Sequence, residues 1–191
     1  DKGWTSAKSG STSQLMSPAW TYNRLNDYDR GSSIVANGWV IEDWGVPTLA
    51  TMPYAASDYT SWGSENAFRE APLHRASAVT YASDYSTATI KSLVQAGKPV
   101  AFALDGYQFG SAFKDNPTGS KIISAADYSP TTPNHAQVIV GWDDAKSEDG
   151  DKGAFRVVNS WGTGWGESGY YWVTYSAFAE MAPKYVPTYM E

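Results

Sequence analysis

The spacing of apolar positions changes character near the middle of the chain, from helical recurrence to strand-like runs. In the first half, Ser17-Pro18-Ala19-Trp20 predicts a short helix with Ser17 as cap and Pro18 at its first position, ending near Arg24, because proline has no N–H to lose in a first turn. A second helix is predicted from a cap at Ser32 or Ser33 through Ile34, Val35, Val40, Ile41 and Trp44. It closes on Gly45 in a left-handed conformation two positions before Pro47. Gly38 inside it costs about 1 kcal/mol relative to alanine, which argues for close packing against a neighbour. A third helix begins at Asp84 to Ser86, stacks Ile90, Leu93 and Val94 at i, i+3 and i+4, and stops at Gly97 with Pro99 behind it. The first thirty residues are otherwise polar and turn-rich. Residues 51–83 show no sustained period and read as loop, punctuated by Pro53-Tyr54, Trp62-Gly63 and Pro72.

From Val100 onward, strands are predicted at residues 100–104, 137–142, 154–159 and 169–175, each rich in β-branched and aromatic side chains. The acidic stretch 143–151 reads as a solvated hairpin loop. It is not a calcium loop, because Ala145 stands where the first carboxylate is needed. Helices first and strands second predict an α+β chain of two segregated lobes, residues 1–99 mainly helical and 100–191 mainly β, with the space between such lobes a usual place for a site.

Composition narrows the function classes. The 191 residues are 42% hydrophobic and 18% charged, with 9 Trp, 13 Tyr and 6 Phe, which fits a packed globule and excludes disordered, collagenous and coiled-coil chains. A net charge of −6 offers no basic face to a phosphate backbone, so nucleic acid is not an expected partner. No apolar run is long enough for a membrane span, and Asp1-Lys2-Gly3-Trp4 has no charged-then-apolar leader pattern. Few lysines among many Tyr, Trp, Ser, Thr and Gly point to a secreted or cell-surface protein of bacterial type. There is no cysteine, hence no disulfide, no thiolate metal site and no cysteine nucleophile within this sequence. No cofactor or metal is expected.

The candidate chemistry centres on one of two histidines. His74, after Pro72-Leu73, reads as a surface residue without a task. His135 sits in Pro133-Asn134-His135-Ala136 at the entry to the apolar run Val138-Ile139-Val140-Gly141, and taken alone reads as structural. Downstream comes Val158-Asn159-Ser160-Trp161-Gly162-Thr163-Gly164-Trp165-Gly166-Glu167-Ser168-Gly169-Tyr170. Glycine allows close approach and unusual backbone, and tryptophan supplies rigid cover. A neutral imidazole acting as general base needs one nitrogen held by an acceptor, and the Asn159 side-chain oxygen can hold it without adding charge. An aromatic lid such as Trp161 shields that bond from water.

These residues resemble the papain family of cysteine peptidases. His135-Ala136 with 138–142, then Asn159-Ser160-Trp161-Gly162 and 165–171, match the family's His and Asn blocks in order and spacing. Lys8-Ser9-Gly10, Met16-Ser17-Pro18, Arg30-Gly31-Ser32, Trp44-Gly45, Met52-Pro53-Tyr54 and Lys98-Pro99-Val100 follow the family's order upstream. The resemblance implies a papain-like two-lobed α+β fold, with a helical left lobe, an antiparallel β-barrel-like right lobe and a cleft between them that takes a peptide or protein substrate. It implies His135 as base and later acid, Asn159 as its orienter, Trp161 as shield and Trp165 as a wall on the leaving-group side. Gly31 and Ser32 match positions that present backbone to substrate, although the family prefers two glycines there. Ser33, Ile34, Pro133 and Ala136 match the pocket for the second residue before the scissile bond, with Asn134 beside them.

One departure decides the expected activity. In the family the nucleophilic cysteine opens the first helix and the oxyanion glutamine lies just before it, and both positions fall ahead of Asp1. The expectation is therefore a peptidase domain that supplies His and Asn and stays inactive unless a second chain or segment brings the cysteine helix. The competing readings are a non-catalytic peptide- or partner-binding pseudopeptidase, and a carbohydrate-binding surface. For the latter, Trp39, Trp44 and Trp62 show no common face in the sequence.

Overall fold

A computed structural model of the chain describes residues 10–26, 31–108, 121–129, 131–181 and 187–191; Lys8, Ser9 and Arg30 of the matched motifs lie outside the described residues. The chain divides into two compact units, Asp1–Val79 with Met190–Glu191, and Thr80–Tyr189.

The first unit is helical. Helix α1 spans Pro18–Leu25, α2 Ile34–Trp44 and α3 Glu65–Glu70, which runs into a 3₁₀ turn at Ala71–His74. Ser33 caps α2 by accepting from the Ala36 N–H, and Ser64 caps α3 by accepting from that of Ala67. Ser17 holds the N-cap position of α1, but its hydroxyl makes no cap bond. Its backbone N–H is committed to the Pro47 carbonyl at 3.0 Å, and the side chain is drawn into the interior instead. Gly38 packs where expected: a Cβ there would stand 2.9 Å from the Val79 methyls. The core gathers Trp20, Val40, Val46, Met52, Ala67 and Ala71. Helix α3, the turn after it and the short strand Val79–Tyr81 lie within the segment read as loop. The buried positions of α3 and the turn, Ala67 and Ala71, are small, so they leave almost no trace in a hydrophobic pattern.

Trp44 and Trp62 share a face after all. The Arg24 guanidinium lies over the Trp20 ring, 3.1 Å from its centroid, with Phe68, Trp62 and Trp44 at 5.1, 5.4 and 5.7 Å. Its N–H groups donate to the Trp20 and Trp62 carbonyls, and burial lowers its pKa to about 10. The aromatic surplus of this unit is thus spent on holding a cation in place.

Among the described residues the second unit is built on a seven-stranded sheet, of which only Val79 and Met190, at the ends of two strands, fall in the first unit. Its strands are β1 (Val79–Tyr81), β2 (Val100–Leu104), β3 (Ile122–Ile123), β4 (His135–Glu148), β5 (Asp151–Val158), β6 (Tyr170–Thr174) and β7 (Thr188–Met190), in the order β1-β7-β2-β4-β5-β6-β3. The central pairs β2–β4, β4–β5 and β5–β6 are antiparallel, while β3 joins β6 in parallel. Helices α4 (Thr87–Gln95) and α5 (Tyr175–Met181) contribute Ile90 and Phe178 to a core with Phe102, Leu104, Ile139, Phe155, Val157, Tyr171 and Val173. Ser86, at the end of the range where this helix was expected to start, caps α4 by accepting from the Thr89 N–H. Among the described residues no helix is long and apolar enough to cross a membrane.

The acidic stretch is strand rather than loop. Strands β4 and β5 stay paired out to Glu148 and Asp151, and the turn is only Asp149-Gly150, both at positive φ, the geometry that matches strand twist in a two-residue hairpin. The carboxylates are anchors: Asp149 accepts from the buried Ser124 hydroxyl at 2.7 Å, and Asp151 from the Ala125 N–H at 2.9 Å and the Thr174 hydroxyl at 2.8 Å. The Ala125 bond foremost holds Asp151 below the usual carboxylate range. A depressed folded pKa contributes stability that is complete above the unfolded value, about 3.9, and is lost as pH falls through the folded one. Asp151→Asn is therefore expected to lower urea stability clearly at pH 6, and the gap to the parent should narrow at pH 3.

Candidate active site

Strand pairing brings the two sequence motifs together. His135 opens β4 opposite Leu104, the last residue of β2. Val158 closes β5 opposite Val138 of β4, so Asn159 leaves the sheet beside the point where His135 enters it. The His135 Nε2 lies 2.9 Å from Asn159 Oδ1. The same oxygen accepts from the Ser160 backbone N–H at 2.7 Å. A backbone N–H can only donate, so that bond fixes which end of the Asn159 amide faces the ring. It follows that Nε2 carries the proton and donates, leaving Nδ1 as the unprotonated nitrogen of the neutral imidazole.

Aromatic cover comes from the loop after Asn159. The Trp161 ring stacks on His135 with centroids 5.0 Å apart and planes inclined by 26°. Trp165 meets Trp161 edge-on at 5.2 Å and the buried Tyr171 at 5.4 Å, so the cover is tied to the core. Tyr171 in turn donates to Gln137 Oε1, and burial pushes its phenol well above the ordinary value. The loop is closed by Asn159 N–H to Gly169 O at 2.9 Å and Gly169 N–H to Trp165 O at 2.7 Å. Gly166 is required: at φ +58° a Cβ would stand 2.3 Å from the Tyr170 carbonyl oxygen. Asn159 itself is buried, and its Nδ2 has no partner among the described residues.

The other sequence-derived residues fall in two places. Pro133, Asn134 and Ala136 flank His135 at the start of β4. Gly31, Ser32 and Ser33 are exposed ahead of α2, with Ile34 half-buried as its first residue, and they belong to the first unit. The Ser32 hydroxyl accepts from Asn37 Nδ2 at 2.7 Å. His74 is not an idle surface residue: half-buried, it donates from Nδ1 to the Val46 carbonyl at 3.2 Å. Missed altogether by the sequence reading was Asp105, a buried carboxylate directly after β2. Its only signal is an acid ending an apolar run with Gly106 behind it.

Chemically the arrangement offers a proton acceptor. The imidazole is oriented by a neutral partner, stacked on one face against the Trp161 indole, and free to take a proton at Nδ1. Asn159→Ala is expected to shift the imidazole nitrogen resonances of His135 and release its Nε2 proton to fast exchange, while costing only about 1 kcal/mol of stability. Unchanged ¹⁵N shifts in the variant would show that the pair is uncoupled.

Comparison with known proteins gives the family and the fold. Residues 5–185 match the family model described as papain family cysteine protease. Zingipain-2 of Zingiber officinale is 30% identical over 134 residues, 69% of this chain and 53% of that protein, so the chain spans about half the length of the curated relative it matches. Among solved structures, xylellain, a cysteine protease from Xylella fastidiosa, superposes with a TM-score of 0.74 at 20% identity, covering 97% of this chain and 74% of its own. Digestive procathepsin L 3 of Tenebrio molitor does so at 0.70 and 18%, covering 97% and 58%. These likenesses establish a papain-like fold, and the family match over nearly the whole sequence shows that the chain belongs to the papain family of cysteine proteases.

Proposed function

We propose that this chain is the histidine- and asparagine-bearing part of a papain-type peptidase, and that it hydrolyses peptide bonds only together with a cysteine-bearing segment outside this sequence. The observation that carries the reading is the His135–Asn159 bond, which holds the proton at Nε2 and leaves Nδ1 to act. A thiol set against Nδ1 gives its proton to the ring, and the thiolate attacks the scissile carbonyl. The imidazolium then returns the proton to the leaving amine as the C–N bond breaks, leaving a thioester. Water attacks that thioester, its proton passing through Nδ1 back to the sulfur while the acid product departs. In this reading Gly31 and Ser32 of the first unit present backbone to an extended peptide, and Trp165 of the second bounds the leaving-group side.

A second reading keeps the peptide and drops the chemistry: the chain holds no thiol of its own, which favours a pseudopeptidase in which His135 and Asn159 only hydrogen-bond. Adding a synthetic segment with the family's Gln and Cys pattern to the purified chain separates the two. Turnover of a fluorogenic peptide supports the first reading, and peptide binding without turnover the second.

A further inference from the structure

Asp105 is 6% exposed and stands one residue beyond Leu104, the strand partner of His135. Its Oδ1 accepts from Asn134 Nδ2 at 2.6 Å and from the Tyr107 N–H at 3.1 Å. Its Oδ2 accepts from Gln108 Nε2 at 3.1 Å and from the Thr131 hydroxyl. Asn134, the residue before His135, is gripped twice more: its Oδ1 accepts from the Gly106 N–H at 3.0 Å, and its own N–H donates to the Leu104 carbonyl at 3.0 Å. Gly106 brings this clamp against the imidazole itself, since a Cβ there would lie 2.8 Å from His135 Cβ and 3.2 Å from Cγ.

A carboxylate buried among uncharged donors is costly unless every lone pair is used. Here the Thr131 hydroxyl foremost, then the Asn134 and Gln108 amides and the Tyr107 N–H, outweigh burial and keep it below the usual range. An apolar side chain would fill the space without that demand, but it could not hold Thr131 and Asn134 at once. Both lie in the segment leading into His135.

We infer that Asp105 is a positioning residue for His135, acting through Asn134 to set the ring where Asn159 and Trp161 can hold it. Its functional meaning rests on the proposed role of His135 in proton transfer, but its test does not. Nitrogen-15 spectra of the imidazole in the parent, Asp105→Asn, Asn134→Ala and the double variant read the ring directly. The expected result is a rise of about tenfold in the exchange rate of the His135 Nε2 proton in each single variant, and no further rise in the double, because two residues in one linkage do not add. Amide exchange at Val157 and Val173 should stay at parent values, which separates loss of ring position from loss of fold. Additive effects, or an unchanged Nε2 proton in either single variant, would overturn the inference. Should Asp105→Asn fail to fold, Asn134→Ala alone decides, since it removes the exposed link and leaves the carboxylate its other donors. Failure of complementation with a cysteine segment would sink the peptidase reading and leave these exchange rates untouched.

Discussion

Purified by itself, the chain is expected to show no peptide hydrolysis above background and no reaction with thiol-directed inhibitors, and to gain both when a segment with the family's Gln and Cys pattern is added. The warrant is geometric. In the proposed mechanism the nucleophile set against Nδ1 opens a helix, as the resemblance to the family implies, where the helix dipole and the base together favour the anion. Serine does not substitute by nearness along the chain: the Ser11 hydroxyl is paired with that of Ser13 at 3.0 Å, and Ser6 and Ser9 lie outside the described residues. In the complemented form, His135→Ala should lower kcat/KM by roughly 10³-fold, the scale of a lost general base. Asn159→Ala should cost less, roughly 10-fold to 100-fold, because the ring remains and only its orientation and tautomer are released. Turnover by the isolated chain that survives gel filtration and disappears with His135→Ala would mean a nucleophile exists elsewhere in this sequence. A complemented chain with a titratable thiol and no turnover would instead establish the pseudopeptidase.

Gly45→Ala is expected to be the most damaging small substitution in the first unit, costing about 4 kcal/mol or more. Gly45 sits at φ +77°, ψ −164°, in a backbone region open essentially to glycine alone, and not in the left-handed helical conformation that its place after α2 predicts. The reason is tertiary. Its N–H still closes the helix onto the Ile41 carbonyl, but the chain must then run alongside the 3₁₀ turn, where Val46 N–H donates to the Ala71 and His74 carbonyls at 3.1 and 3.2 Å. A Cβ at Gly45 would stand 1.9 Å from the Ala71 carbonyl oxygen. The Gly45 carbonyl also accepts from the buried Trp20 indole at 2.8 Å, so any shift that relieves the clash pulls on the core. Gly97→Ala is the control: its φ is +76° but nothing lies within 4 Å of the added methyl, so about 1 kcal/mol is expected. Urea unfolding followed by tryptophan fluorescence compares the two, and equal losses would mean that the clash is absorbed.

Much of the local structure could be read from residues close together in the chain. The cap at Ser33, the start of α4 near Ser86, the strand Val100–Leu104 and the junction of His135 with an apolar strand all rest on side chains acting within a turn or along one strand. Elements with a small or short signal leave little trace in the sequence. Strands β3 and β7 have two and three residues, and Tyr175, read as the end of a strand, begins α5. The charged end of the β4–β5 hairpin is exposed, as its composition suggests, but it is paired strand, and Asp149 and Asp151 are anchored. They are held by Ser124, Ala125 and Thr174, partners that no local pattern announces.

By itself the sequence determined that this is an α+β chain of the papain type without a thiol, that His135 and Asn159 belong together, and that Trp161 accompanies them, because residue chemistry and order suffice for those conclusions. Only the tertiary structure decided which imidazole nitrogen is held, since that depends on the Ser160 N–H sharing Asn159 Oδ1. It also decided that Trp44 and Trp62 gather around Arg24, that Gly45 must be glycine for reasons beyond helix capping, and that a buried Asp105 grips the approach to His135. Each of these turns on groups that find their hydrogen-bond partners or packing neighbours only when the strands pair and the helices pack, and burial then makes those partnerships obligatory.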